Sequence, residues 1–79
     1  MKNTSLVTLD KLSPGEHGII TDVSGGPLRR RLLDMGLIPR TTVTVLRAAP
    51  MGDPIGLSLR GYQLTLRRAD AAQITVRKF

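Results

Sequence analysis

Three short runs in the second half of the chain alternate apolar and polar residues: Val43-Thr44-Val45, Leu57-Ser58-Leu59 and Leu64-Thr65-Leu66. Successive side chains of an extended strand point to opposite faces, so each run predicts a half-buried strand. Arg60-Gly61 leaves room for a two-residue hairpin between the last two runs. That hairpin pairs Leu59 with Tyr62 and Leu57 with Leu64 and puts all four on one face. A further strand is predicted over the β-branched stretch Gly18-Ile19-Ile20-Thr21-Asp22-Val23, broken by Ser24-Gly25-Gly26, and another over Ile74-Thr75-Val76. Ala48-Ala49-Pro50-Met51-Gly52-Asp53-Pro54 is too rich in Pro and Gly for a strand and reads as a projecting loop.

Between the first strand and the second, the period changes. Leu28, Leu32 and Met35 fall on one stripe at spacings of four and three, after Pro27 at the position where proline opens a helix. Gly36 stands where a left-handed cap is wanted, Leu37 can fold back onto Leu32, and Pro39 forbids continuation. Leu33 points about 100° off the stripe, which places it at the edge of the core or outside. Two more helical turns are predicted near residues 8–12 and 69–72, and residues 1–5 are expected to fray.

Five short strands with one helix after the first are too few for a sandwich. Curling them into a barrel hides the edges that an open sheet would expose. The expected fold is mainly β, a small five-stranded SH3-like barrel forming one domain over residues 1–79. Its core is expected to take Leu9, Leu12, the Leu28–Leu32–Met35 stripe, the inward residues of the alternating runs including Leu64, and Tyr62.

Composition narrows what such a body can do. In 79 residues there is no cysteine, which removes disulfides, thiolate metal sites and cysteine nucleophiles together. No nucleophile stands beside a base and no GxxxxGK loop is present, so no catalytic residue and no cofactor site is assigned. No apolar run reaches the roughly 20 residues that cross a bilayer, and no signal segment is visible, so a cytoplasmic location is expected. Twelve Lys or Arg against six Asp or Glu give a net charge of +6, a field that favours acidic partners.

The run Arg31-Leu32-Leu33-Asp34-Met35-Gly36-Leu37-Ile38-Pro39, then Val43-x-Val45, Ala49-Pro50-Met51-Gly52-Asp53-Pro54-Ile55 and Arg60-Gly61-Tyr62-Gln63-Leu64-Thr65-Leu66-Arg67, resembles the bacterial ferrous iron transport protein A family (FeoA). Ala72 and Ile74-x-Val76 continue the likeness, which extends from Leu6 to Val76. The resemblance implies an SH3-like fold, a family-level association with transition metal ions, and a cytoplasmic, non-catalytic accessory of ferrous iron uptake. Its implied partner is the cytosolic region of the permease FeoB, which carries a G-protein domain, so the accessory sits peripheral to the membrane through that partner. The same barrel occurs as the C-terminal domain of iron-dependent repressors, but no winged-helix segment precedes it here and a free-standing subunit is expected. One position departs from the family pattern. Arg40 follows the proline where the family usually has Gly, at a cost of about 1 kcal/mol if that backbone has a positive φ.

A protein-binding surface is the favoured site. Leu33, Leu37 and Ile38 beside Arg29, Arg30 and Arg31 form an apolar patch with a basic rim, and Met51 at its loop tip adds an adaptable hydrophobe. The alternative for Leu37 and Ile38 is that they cap the barrel. The same arginines are the candidates for acting in trans on a partner's GTPase. No metal site is assigned. His17 with Glu16 and Asp22 is the weak candidate set, and one histidine cannot supply the several convergent ligands a ferrous site needs. An oligomer that gathers several His17 side chains stays open.

The rival reading is a basic SH3-like nucleic-acid-binding module. Arg67, Arg68, Arg77 and Lys78 could contact phosphates, but Tyr62 and Phe79 are the only rings and no stacking platform is present. No sequence-specific nucleic acid is expected.

Overall fold

The computed structural model describes residues 5–79. The chain forms β1 (Ser5–Thr8), a 3₁₀ turn (Leu9–Lys11), β2 (His17–Val23), α1 (Pro27–Asp34), β3 (Thr42–Ala48), β4 (Ile55–Leu59), β5 (Tyr62–Leu66), α2 (Arg68–Ala71) and β6 (Ile74–Lys78). All pairings are antiparallel, in the order β1-β6-β2-β3-β4-β5. The architecture is the predicted SH3-like barrel, mainly β, with a helix after the strand that contains Ile19 and Ile20 and helical turns at both expected places. Register shifts between Ile20 and Asp22 in β2 and between Val45 and Arg47 in β3 bend those strands.

Two expectations about the sheet are corrected. There are six strands, because Ser5–Thr8 pairs with β6 from Ser5 opposite Lys78 to Thr8 opposite Thr75. Residues 1–4 of the expected frayed segment lie outside the described residues, whereas Ser5 begins β1. The edges are also not hidden. β1 and β5 end the sheet and do not pair with each other, so packing rather than a continuous ladder closes the barrel.

The turn chemistry agrees with the sequence. Arg60 and Gly61 have φ of 49° and 83°, the two positive values of a type I′ turn, whose twist matches its flanking strands. Leu59 pairs with Tyr62 and Leu57 with Leu64 as expected. At the end of α1, the Gly36 N–H donates to the Leu33 carbonyl at 3.0 Å and the Leu37 N–H to the Leu32 carbonyl at 3.1 Å. These are the two bonds of a Schellman cap, with Gly36 at φ 100°. Arg40 does adopt a positive φ, 76°, and its N–H donates to the Ile20 carbonyl at 2.7 Å. That bond anchors the link from α1 to β3 in a conformation that glycine adopts at lower cost.

The core differs from the expected one at its margins. Leu9, Leu12, Ile20, Val23, Leu32, Val43, Val45, Leu57, Leu59, Leu66, Ile74 and Val76 are buried as expected. Leu28, Met35 and Leu64 are partly buried and pack on that cluster, while Leu37, Ile55 and Ala71 join it. Ile55, which lies just beyond the predicted loop, opens β4 opposite Leu66 and Ala48. Tyr62, expected inside, is 40% exposed. It belongs to an end strand, and its hydroxyl donates to the Met35 carbonyl at the end of α1. Thr41 is the buried polar residue, and its hydroxyl accepts from Arg60 Nη2 at 3.3 Å.

Candidate partner-docking surface

α1 carries the arginine run because its apolar stripe faces inward and leaves Arg29, Arg30 and Arg31 on the exposed side. The three differ in freedom. Arg29 Nε donates to the Val23 carbonyl at 3.3 Å and so fastens α1 to the end of β2. Arg30 lies 3.7 Å from Asp34, a solvent-exposed pair one helical turn apart that contributes little stability. Arg31 has no ion-pair partner among the described residues.

One residue of the predicted apolar patch is corrected. Leu37 is wholly buried, because the Schellman cap folds it back onto Leu32, so it supports the barrel and offers nothing to a partner. Leu33 is half-buried and packs against the core, and Ile38 is half-buried as well. Met51 is 92% exposed, in the loop between β3 and β4.

Arg68 holds that loop in place. Its backbone N–H donates to Asp53 Oδ1 at 2.8 Å, its Nε to the Gly52 carbonyl at 2.9 Å, and its Nη1 to the Asp10 carbonyl. One guanidinium thus joins α2, the loop and the 3₁₀ turn. The sequence suggests phosphate contacts for Arg68, because no local signal marks a residue that bridges three distant segments. Lys78 is likewise engaged, with Nζ 2.6 Å from Glu16 Oε2. Two of the four cations proposed for nucleic-acid contact therefore serve the fold.

The weak metal candidates do not gather. Glu16 spends both oxygens locally, Oε2 on Lys78 and Oε1 on the Ser13 N–H at 2.7 Å. The Lys78 ammonium, then the Ser13 N–H, holds its carboxyl below the usual 4.5. The His17 ring packs edge-to-face on Phe79 at 5.0 Å, and Asp22 is five residues farther along β2, about 16 Å for an extended strand. Among the described residues no three His, Asp or Glu side chains converge, and no helix is long and apolar enough to cross a membrane.

A groove that the sequence did not reveal runs between α1 and the end of β5. Leu28, Leu32, Met35 and Leu66 contribute its apolar lining, Arg31, Arg67 and Asp70 its charges. The sequence profile of the FeoA domain matches residues 7–78. The chain belongs to the FeoA domain family. This FeoA domain is 41% identical over 69 residues to the Fe(2+) transport protein A/Fe(2+) transporter FeoB fusion protein of Porphyromonas gingivalis. The match spans 86% of the present chain and 8% of that much longer one. The solution structure of a FeoA-like protein from Clostridium acetobutylicum superposes with a TM-score of 0.89 at 32% identity, covering 100% of this chain and 91% of the other. The zinc-complexed FeoA of Stenotrophomonas maltophilia, described as a procaryotic SH3 domain protein, gives 0.78 at 21% identity over 89% and 88%. That likeness supports the fold alone.

Proposed function

We propose that this FeoA domain serves ferrous iron uptake as a non-catalytic accessory that docks on the cytosolic region of the transporter FeoB and regulates it. The observation that carries the reading is the fused relative, in which a protein A segment and the FeoB transporter are one polypeptide. Fusion makes contact between two parts intramolecular and raises their effective concentration, an advantage where the parts act in contact.

The exposed side of α1 suits such contact. Arg30 projects into solvent, with 86% of its side chain accessible, and Ile38 follows the cap that ends the helix. An exposed basic side chain beside a half-buried apolar one supplies the rim and the margin of an interface. Leu37 is buried beneath this face, and Arg29 is tethered to the Val23 carbonyl through its Nε.

The test is a titration of the chain against detergent-solubilised FeoB, with Arg30→Glu combined with Ile38→Ser as the variant. Circular dichroism verifies that the variant keeps its barrel. The expected result is saturable binding that weakens by about tenfold or more in the variant. Equal affinity of a folded variant and the unaltered chain would reject this surface. Absence of any binding would reject the partner.

A further inference from the structure

β5 ends the sheet with an unprotected edge. In a two-residue hairpin the residues flanking the turn form a hydrogen-bonded pair, and such pairs alternate along the ladder. Tyr62, Leu64 and Leu66 therefore direct their N–H and C=O groups to β4, and those of Gln63 and Thr65 point outward. No turn or loop backbone group among the described residues bonds to Gln63 or Thr65. Edge strands are ordinarily blunted by a charge, a proline or a bulge. Tyr62-Gln63-Leu64-Thr65-Leu66 has none of these and pairs with β4 without a register shift.

Clefts lie on both sides of this edge, and Thr65 and Pro54 belong to both. On the core side is the groove floored by Leu28, Met35 and Leu66, between Arg31 and Arg67, with Asp70 as its one carboxylate. The other cleft is lined by Leu46, Arg47, Gly56 and Gln63. Arg31, Arg47 and Arg67 are all exposed and take part in no ion pair among the described residues.

We propose that the free edge of β5 accepts an extended acidic segment of a protein partner as an added strand. Its backbone bonds to the outward groups of Gln63 and Thr65, as in recognition by strand addition. Apolar side chains of one parity enter the groove under α1, and carboxylates of the other parity meet Arg47, with further acidic residues reaching Arg31 and Arg67. Charge selects this occupant over a second copy of the chain. Pairing β5 with its own duplicate brings two bodies of charge +6 together and crowds their arginines at the junction, whereas an acidic strand neutralises them. The edge is separate from the Arg30–Ile38 face, and the inference stands whether or not the partner is FeoB.

The test uses the ¹⁵N-labelled chain and two capped octapeptides, one of alternating Val and Glu and one of alternating Val and Lys. The acidic peptide is expected to bind saturably with Kd below about 1 mM and to slow amide exchange at Gln63 and Thr65 by at least tenfold, while the basic peptide does neither. Thr65→Pro deletes an outward N–H and leaves the β4 ladder intact, and it should weaken binding by at least tenfold. Should that variant fail to fold, Arg47→Glu with Arg67→Glu must switch the preference to the basic peptide. Equal binding of both peptides, or exchange at Gln63 and Thr65 unmoved by the acidic one, would overturn the proposal. So would protection of those amides in peptide-free samples that tumble as dimers, because the occupant would then be a second copy.

Discussion

Gly36→Ala tests how the end of α1 is locked to the hairpin. Residue 36 has φ of 100°, where a Cβ raises the energy by about 1–2 kcal/mol. The new methyl also collides with the Tyr62 hydroxyl, while the ring carbon that bears it lies 3.4 Å away, close but tolerable. Tyr62 must swing off and give up its bond to the Met35 carbonyl, a further loss of about 1 kcal/mol. Gly36→Ala should therefore destabilise by about 2–3 kcal/mol, lowering Tm by about 10 °C or more for a domain of this size. Tyr62→Phe alone should lose about 1 kcal/mol. In the phenylalanine background the methyl has no hydroxyl to strike, so the double variant should be no less stable than Gly36→Ala. Urea unfolding of all four proteins measures this cycle, with an expected coupling of about 1 kcal/mol. Strict additivity would show that the hydroxyl does not sit over Gly36.

Two other consequences concern neighbouring parts of the fold. Leu37→Ala should destabilise by about 2–5 kcal/mol because it empties a wholly buried site, against about 1 kcal/mol for half-buried Ile38→Ala; equal values in urea unfolding would contradict the burial. Glu16 has a folded-state pKa below its ordinary 4.5, so the stability it contributes is complete above that value and is lost as pH falls through the lowered one. Tm of the unaltered chain should exceed that of Glu16→Gln at neutral pH, and the gap should close below pH 4.5; a gap that is independent of pH would show that the contact with Lys78 is not charge-dependent.

Local chemistry was legible in the sequence where it alone decides the structure. Arg60-Gly61 set the hairpin and its register, and Gly36-Leu37 set the cap of α1, because each turn is specified by residues within reach of one another. What escaped depended on distant partners. β1 offers no alternating pattern, and it becomes a strand by pairing with β6 at the far end of the chain. Leu37 reads equally as patch or plug until the cap turns it inward, and Tyr62 reads as core until its strand proves to be an end of the sheet. The candidate surface divides in the same way. Exposed arginines on α1 follow from the helical period, but the anchoring of Arg29 to Val23, the bridge built by Arg68 and the groove beside β5 arise from segments brought together by folding.

We propose that this FeoA domain acts by contact with FeoB, as its fused relative suggests. The decisive experiment is isothermal titration of the unaltered chain into FeoB reconstituted in nanodiscs at physiological salt. A saturable exchange of heat with a defined stoichiometry, absent with empty nanodiscs, is expected. A flat titration from a folded chain and an active transporter would contradict it.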